Sequence, residues 1–580
     1  MENSEKLIIK LIYVLVAFSE VYGRYYRNLE RFNIYTNGVI YTVDPKADSW
    51  HSNPVQAMVV NYHTGYIEYI GNNGDAMDYK TELSKTFDLK GKTVLPGFHD
   101  VHMHPLEAMT KLGGGCSIPK QTPPEDIKYA ISQCKPTNDA PGWILGHGHS
   151  IEFILDHIEN EGRPPKEIID EIINTHPVIL MDETSHSVWV NSMALKKARI
   201  TKDTKNNPGG IIMKDLETGE PNGILFENAG NEIMDIAIVS FGNQDAANYD
   251  ALSNALWELK KNGITSICDA RTYWKRNHHT TWKRVCDNNE LTVRTVLGLW
   301  AYPSMHDTEQ IQKLKDLHTN DYNSNKCFLK INEIKVYSDG IVDSTTAAML
   351  EPYAKNLHLP GLVDNIGMNY FTQDRLQKYF EQLPKFDFHI HAIGDRGVQE
   401  VLNAIEKTKE INGSRHRMTH LEIVNKRDIP RFKELGVIAD FQVTGEFTLP
   451  GETRAPIIHS VGEDRAKDFI PVKSVADTGA VVTLSSDWDV SSLNPFISIQ
   501  HATQRDQQSV SVKSAIEMRT INAAYAMRQE NEVGYLGRGM AADFVVVNKD
   551  ILKIPVHEIG STKVVQTVLQ GQTIYQLDKK

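Results

Sequence analysis

Two hydrophobic patterns alternate along most of the 580-residue chain. Short runs rich in β-branched and aromatic residues predict strands, and segments whose apolar residues recur every three to four positions predict helices. The helical pattern covers Asp250–Lys261, Asp374–Leu383 and Val398–Lys409. Eight runs predict the strands of one sheet: Val94–His104, Gly263–Asp269, Val293–Leu299, Ile331–Tyr337, Phe386–His391, Arg417–Glu422, Gly436–Asp440 and Ala480–Asp487.

Alternating strands and helices are typical of a parallel α/β sheet, which is either an open, doubly wound sheet or a closed barrel. We predict an eight-stranded (β/α) TIM-like barrel, because polar residues gather at the carboxyl ends of the predicted strands. The segment between the first and second strands, about residues 110–255, is predicted to be an insertion. It contains two further strand-like runs, Trp143–His147 and Pro177–Met181.

Both ends of the chain carry short β-rich runs separated by turns. These runs are residues 33–43, 57–61 and 66–70 near the N-terminus and residues 542–548 and 564–575 near the C-terminus. Neither set is long enough for a stable sheet, whereas together they can form one sandwich. We therefore predict a composite β-sandwich built from residues 33–92 and 531–580, with the barrel at residues 93–530.

The composition excludes some partners. The net charge is −12 and the isoelectric point is near 6.0, so the protein is negatively charged at neutral pH and repels phosphate groups. No run of lysine and arginine makes the charge positive locally. Nucleic acid is therefore not expected as a partner. The cysteines are odd in number and lack Cys-x-x-Cys spacing, which predicts isolated buried thiols rather than disulfides or a zinc knuckle: Cys116, Cys134, Cys268, Cys286 and Cys327.

The N-terminus resembles a secretory signal peptide. Lys6 and Lys10 flank and interrupt an apolar run, Leu7–Phe18, and small residues follow near Gly23. We predict cleavage after residue 23 and secretion, with an uncleaved segment and a cytoplasmic protein as the alternative. No other stretch approaches the roughly 18 apolar residues of a membrane span, so no stable span is expected. Asn412 begins a glycosylation sequon that is usable only in the secretory pathway.

The ends of the predicted strands carry residues suited to metal chemistry. Alternate side chains of a strand share a face, so His102 and His104 can bind one metal ion. Each strand-end residue has an ordinary structural explanation by itself, such as a packed histidine or a helix cap. Four imidazoles and a carboxylate together at the catalytic end of a barrel nevertheless match the ligands of hydrolytic zinc. The full set is His102, His104, Lys335, His391, His420 and Asp487.

Lys335 requires an explanation, because an ammonium group repels a divalent cation. If its ε-nitrogen is carboxylated, the side chain becomes an anionic ligand that can bridge two metal ions. The metal would activate water to hydroxide and polarise the scissile carbonyl. Asp487 would accept the proton of the water and pass it to the leaving nitrogen.

Several motifs occur in an order that resembles one family. They include LPGFHDVHMHP at residues 95–105, IKVYSDG at 334–340, HAIGD at 391–395, SDWDV at 486–490 and the segment 534–547. The chain resembles the amidohydrolase superfamily, in particular the YtcJ-like branch (the amidohydrolase 3 family) related to N-substituted formamide deformylases. This resemblance implies metal ligands at the same six strand-end positions, with Lys335 as the bridge, and a composite β module.

Some residues depart from the family pattern or lie beside it. Thr419 precedes His420 where relatives often have glutamate, and His99 replaces an apolar residue. We expect His389 to lie one layer below His391, as a packing or supporting residue. Two further sets are weaker candidates for lining the pocket: the insertion histidines His147, His149 and His186, and the pair Trp488 and Asp489.

The predicted function is a metal-dependent hydrolase that cleaves a non-peptide carbon–nitrogen bond of a small molecule. It would use one or two divalent ions, with zinc the expected metal. One alternative is a catalytically silent regulatory or binding protein of the same fold. Another is a different metal-assisted reaction, such as ester hydrolysis, decarboxylation or isomerisation. A homodimer stays an open alternative, and the substrate is not disclosed by the sequence.

Overall fold

The structure is a computed structural model that describes residues 30–47, 50, 53–151, 154–155, 162–322, 327–362, 364–408 and 413–577. The predicted signal peptide, residues 1–23, and Asn412 of the sequon lie outside these residues. Among the helices of the described residues, none combines the length and the apolar character that crossing a membrane requires.

The N-terminal segment forms short strands, as its alternating β-rich runs predict. The strands β1, β3, β4 and β5 make one sheet in the order β4-β3-β1-β5. Asn37 has a φ of 55° and occupies the turn between β1 and β2. The elements are β1 (Phe32–Thr36), β2 (Val39–Ile40), β3 (Ala57–Asn61), β4 (Ile67–Gly71), helix α1 (Asn73–Met77), β5 (Lys85–Asp88) and β6 (Thr93–Pro96).

The predicted first barrel strand, Val94–His104, is two strands in the structure. The segment before Gly97 is β6, which belongs to a sheet at the chain ends, and the segment after it is β7 (Phe98–Met103), which belongs to the barrel. A Cβ atom at Gly97 would lie 2.1 Å from Oγ1 of Thr265. The chain therefore passes from one sheet to the other where only glycine fits.

The insertion has a five-stranded sheet of its own, in the order β11-β12-β10-β9-β8. The two strand-like runs predicted within it are confirmed as β8 and β9, and the other three strands were not predicted. Apolar clusters cover both faces of this sheet. The elements are α2 (Pro105–Met109), α3 (Ile127–Ser132), β8 (Ile144–His149), α4 (Lys166–Ile172), β9 (Val178–Asp182), β10 (Ser187–Val190), α5 (Ser192–Lys197), β11 (Gly210–Lys214), β12 (Pro221–Glu227) and α6 (Asn228–Val239).

The remaining barrel strands alternate with helices. Their first half comprises α7 (Gln244–Lys261), β13 (Ile264–Thr272), α8 (His278–Asp287), β14 (Arg294–Trp300), α9 (Asp307–Leu317), β15 (Thr319–Tyr322), β16 (Leu329–Tyr337) and α10 (Gln373–Gln382). The second half comprises β17 (Asp387–Ala392), α11 (Asp395–Lys407), β18 (Arg417–His420), α12 (Ile429–Leu435), β19 (Ile438–Gln442), α13 (Ala455–Val461), α14 (Glu463–Ala466), α15 (Val472–Ala476), β20 (Val482–Ser485), α16 (Pro495–Ala502), α17 (Val512–Met518) and α18 (Ile521–Ala526).

These strands confirm the predicted barrel and exclude the open sheet. Parallel pairing runs β7-β13-β14-β16-β17-β18-β19-β20, and β15 adds an antiparallel strand outside the barrel on β16. The first and last strands of this series, β7 and β20, lie side by side. The backbone N–H of Asp487 donates to the carbonyl of His102 at 2.9 Å, which joins the two strands where they end.

The C-terminal strands complete the composite β module that the sequence predicts. They are β21 (Phe544–Val547), β22 (Val564–Leu569) and β23 (Gln572–Gln576), and they join N-terminal strands in the order β2-β6-β21-β22-β23. Side chains from both chain ends share one apolar core, including Tyr35, Met58 and Phe544. Each end supplies strands that the other needs to bury its apolar face.

The prediction of isolated thiols was wrong for four of the five cysteines. Cys116 is bonded to Cys134 within the insertion, and Cys286 at the end of α8 is bonded to Cys327 just before β16. Cys268 is a free, buried thiol. The paired cysteines are 18 and 41 residues apart in the sequence, so tertiary structure rather than a local motif brings them together.

Candidate active site

The carboxyl ends of the barrel strands bring together the six residues predicted as metal ligands. His102 lies on β7 and His104 directly follows it. The others lie at or just after the ends of later strands: Lys335 on β16, His391 on β17, His420 on β18 and Asp487 after β20. Since parallel strands end at the same face of a barrel, residues distant in sequence become neighbours there.

His102 is the centre of this group. Its Nε2 lies 3.4 Å from Nζ of Lys335 and 3.3 Å from Oδ1 of Asp487. Its Nδ1 is occupied on the other side, at 2.8 Å from Oγ1 of Thr419 and 3.0 Å from Nε2 of His389. The Nε2 atom is therefore the nitrogen of His102 that faces the predicted ligands.

His104 and His420 approach the same carboxylate. Nε2 of His104 lies 3.0 Å from Oδ1 of Asp487, and Nδ1 of His420 lies 3.9 Å from Oδ2. The ring of His420 is 4.4 Å from the ring of His391 between centroids. His391 stacks on Tyr337 at 4.2 Å, and its buried Nδ1 has no hydrogen-bond partner among the described residues.

The backbone is strained at two of these residues. His420 has a φ of 75° and Asp487 a φ of 54°, in the left-handed region that non-glycine residues rarely adopt. Such conformations cost about 1–3 kcal/mol and persist only where the surroundings enforce them. At Asp487 the hydrogen bond to the carbonyl of His102 provides this restraint.

Burial sets the charge state of the site. Burial lowers the pKa of His102, His391 and His420 well below the usual value for histidine. Burial also lowers the pKa of Lys335 to about 7, although the charge of Asp487 opposes the shift. Neutral imidazoles have a free lone pair, so these rings are in the protonation state that a metal ligand needs.

A layer of polar residues supports His102 from below. Oγ1 of Thr419, the residue that departs from the family pattern, lies 3.0 Å from Oδ2 of Asp440. Asp440 also accepts hydrogen bonds from Thr483 and Ser485, while Gln442 donates to Thr419. Thr419 therefore links His102 to a buried carboxylate through one hydroxyl group.

His389 lies one layer below His391, where the sequence led us to expect it. Its Nδ1 accepts a hydrogen bond of 2.9 Å from Arg417, which also donates to Glu333 at 2.7 Å. Burial by these neighbours leaves His389 no access to the cavities described below. It supports His102 through the 3.0 Å contact rather than facing the site.

The insertion supplies one histidine to the site and a glutamate that the sequence did not reveal. Nδ1 of His186 lies 2.6 Å from Oε2 of Glu227, and the His186 ring stacks on Tyr337 with centroids 5.7 Å apart. Glu227 is buried with a φ of 58° and also accepts hydrogen bonds from Thr346 and Tyr370. It therefore ties the insertion to the loop after β16.

Two adjoining cavities open at this end of the barrel. The smaller cavity, about 130 Å³, is lined by His104, His391, His420 and Asp487 together with His186. The larger cavity, about 420 Å³, is lined by residues of the insertion and of β13 and its following loop. Both cavities are bordered by the same three residues: Ser185, Arg271 and Val490.

The remaining candidate residues have different positions. His147 and Asp489 line the larger cavity. His149 is buried against Trp189, and Trp488 packs on the barrel core. His99 is buried near the opposite end of its strand, where its Nδ1 lies 3.2 Å from the carbonyl of Gly97.

Comparison with known proteins identifies the family. The model of the amidohydrolase family matches residues 85–575, so the chain belongs to this family, as its motifs predict. It is 25% identical to YtcJ of Bacillus subtilis (strain 168), named as an amidohydrolase, over 94% of this chain and 99% of that protein. It is 24% identical to the N-substituted formamide deformylase of Arthrobacter pascens, over 93% of this chain and 97% of the relative.

A solved structure shows the same fold. The chain is similar to the crystal structure of an uncharacterized metal-dependent hydrolase from Pyrococcus furiosus, with a TM-score of 0.67 and 24% identity. The match covers 90% of this chain and all of that one. At this identity the likeness supports the architecture, and the ligand roles of the six residues stay a prediction.

We expect Glu227→Ala to lower the free energy of unfolding by about 2–4 kcal/mol, because His186, Thr346 and Tyr370 would lose their common buried acceptor. Denaturant unfolding measures the change. Glu220→Ala, at an exposed position of the same insertion, is the control and should change stability by less than about 0.5 kcal/mol. Equal effects of the two substitutions would contradict the linking role of Glu227.

Proposed function

We propose that the protein is a metal-dependent hydrolase that cleaves a non-peptide carbon–nitrogen bond of a small-molecule amide. One observation carries the proposal: neutral imidazoles, a buried amine and the Asp487 carboxylate converge beside a cavity at the catalytic end of the barrel. The deformylase named above is a relative of nearly equal length. The name of that relative, N-substituted formamide deformylase, indicates the carbon–nitrogen bond of an amide, which is the type of bond that we propose for this protein.

The residues fit a divalent metal ion. His102, His420 and Asp487 each offer one ligand atom, and these atoms lie within 4.8 Å of one another. Nδ1 of His391 is buried without a partner, a costly state for a polar atom unless something binds it. We propose that these residues, with His104 and Lys335, hold one or two zinc ions. Such an ion supplies a Lewis acid that polarises the carbonyl and makes water nucleophilic at neutral pH.

We propose that Lys335 is carboxylated when metal is bound. Its side chain is completely buried, and Nζ lies 3.4 Å from Nε2 of His102. An ammonium group at this place would oppose a divalent cation, whereas a carbamate would add a negative charge and two oxygen ligands. The negative charge of a carbamate at Lys335 would attract the divalent cation, which favours the carboxylated side chain.

We propose that Asp487 moves a proton during hydrolysis. Its carboxylate reaches His102 and His104, and 17% of its side chain is exposed to the cavity side of the site. We assign Asp487 as the base that takes the proton of the attacking water and then delivers it to the leaving nitrogen. The insertion contributes His186 to the wall of the smaller cavity.

Metal analysis and one substitution test the proposal together. The purified protein should contain one or two divalent ions per chain and hydrolyse at least one member of a panel of amides, imides and lactams. Asp487→Asn should keep the fold by circular dichroism and lower kcat by at least about a hundredfold, because the proton acceptor is lost. Asp477→Asn, at an exposed position, serves as the control.

The outcomes separate the alternatives. Full activity of Asp487→Asn would remove the proposed mechanism. Full metal occupancy without turnover of any amide, imide, lactam or ester would favour a regulatory or binding protein. Turnover of esters alone would favour a different reaction at the same site.

We also propose that the protein is secreted. Disulfides persist in oxidising compartments, and two are present here in addition to the apolar N-terminal run. Protein recovered from the medium of a secreting host should begin after Gly23. Alkylation of the unfolded, unreduced chain should modify one cysteine, and all five should react after reduction. An intact Met1 or five reactive thiols without reduction would contradict secretion.

A further inference from the structure

Asp489 is a charged residue of the larger cavity that has no hydrogen bond or ion pair within the described residues. It follows β20 two positions after Asp487 and lines the cavity wall. Its Oδ1 is buried and without a hydrogen-bond partner. A carboxylate oxygen removed from water and left unpaired is unfavourable, so this position calls for a donor from outside the chain.

The other charged side chains of the same cavity are already paired. Asp182, for example, accepts hydrogen bonds from the backbone N–H groups of Ser187 and His186 at 2.9 and 3.0 Å. The ion pairs are Glu107 with Arg271 at 2.8 Å, Arg276 with Asp235 at 2.6 Å and Glu183 with Lys120 at 2.6 Å. Arg271 also attracts Asp489 electrostatically, but its guanidinium is hydrogen-bonded to Glu107. Asp489 is therefore the acidic side chain of this cavity that lacks a hydrogen-bonded partner among the described residues.

Asp489 lies in the cavity next to the one that contains Asp487, where we propose that the substrate bond is cleaved. Val490 and Arg271 border both cavities, so a molecule whose carbonyl lies beside Asp487 in the smaller cavity can extend past them into the larger one. The larger cavity has about three times the volume of the smaller one, at about 420 and 130 Å³. The bulkier part of the substrate belongs in the larger cavity.

The walls of the larger cavity indicate what connects the two ends of such a molecule. Apolar side chains line part of it, including Leu145, Met181, Met234 and Ile238. These residues suit a hydrocarbon or aromatic spacer, because transfer of its apolar surface out of water is favourable. The cavity therefore combines an apolar wall with one unpaired carboxylate.

We propose that Asp489 binds a positively charged N–H donor on the amine part of the substrate, so that the preferred substrates are N-acylated diamines. The small acyl group lies in the smaller cavity and the spacer with its second nitrogen in the larger one. The charge-assisted hydrogen bond to Asp489 gives the preference. This inference rests on the proposed function, because it takes the scissile amide to lie beside Asp487.

Two matched amides test the preference with the metal-loaded, full-length protein. One is N-benzylformamide, and the other is its para-aminomethyl derivative, which carries an ammonium group at the far end. We expect kcat/KM to be at least about tenfold higher for the charged amide, because a hydrogen bond between charged groups stabilises its complex by enough free energy to give this factor. Asp489→Asn should bring this ratio to within about threefold of one. Glu217→Gln, at an exposed position of the insertion that lines neither cavity, should keep the wild-type ratio.

Binding of the amine products separates a failure of this inference from a failure of the proposed function. Calorimetry should show that p-xylylenediamine binds at least about tenfold more tightly than p-methylbenzylamine, and that Asp489→Asn removes the difference. If neither these two amides nor any member of the panel is hydrolysed but this difference is present, the proposed function fails and the role of Asp489 stands. Equal affinities in the wild-type protein, or a preference that survives Asp489→Asn, overturn the inference.

Discussion

The contact between the first and last barrel strands is the constraint on which the site depends. The hydrogen bond from the N–H of Asp487 to the carbonyl of His102 closes the barrel and places a carboxylate beside a pair of histidines from the opposite end of the domain. It also restrains Asp487 in a left-handed backbone conformation. Barrel closure and assembly of the site are therefore one structural event, since neither strand can shift without separating Asp487 from His102 and His104.

The cost of burying the site is offset by organised polar layers beneath it. Thr419 connects His102 to Asp440, and Arg417 connects His389 to Glu333. Buried polar groups are stable only when they are hydrogen-bonded, and here the same bonds fix the orientation of the His102 ring. The side that faces the cavity lacks such saturation, as Nδ1 of His391 shows. This nitrogen of His391 is therefore free to bind a metal ion.

The sequence predicted the barrel well because most of its eight strands are rich in apolar residues and alternate with helical patterns. The same pattern could not show that the first run divides at Gly97, since both halves are apolar and the division depends on the close approach of Thr265. The strand-end residues were predictable because parallel strands end at one face. Glu227 was not, because its importance comes from how the insertion packs on the loop after β16. Cysteine pairing also escaped prediction, because long-range packing sets it.

We propose that six residues from five barrel strands form one metal centre in which Lys335 is carboxylated. Anomalous X-ray diffraction at the zinc absorption edge, from crystals of the metal-loaded protein grown with bicarbonate, tests it most directly. We expect one or two anomalous peaks among His102, His104, His391, His420 and Asp487, with additional density on Nζ of Lys335. Peaks bound elsewhere in the chain, or an unmodified Lys335 beside an occupied site, would contradict this account.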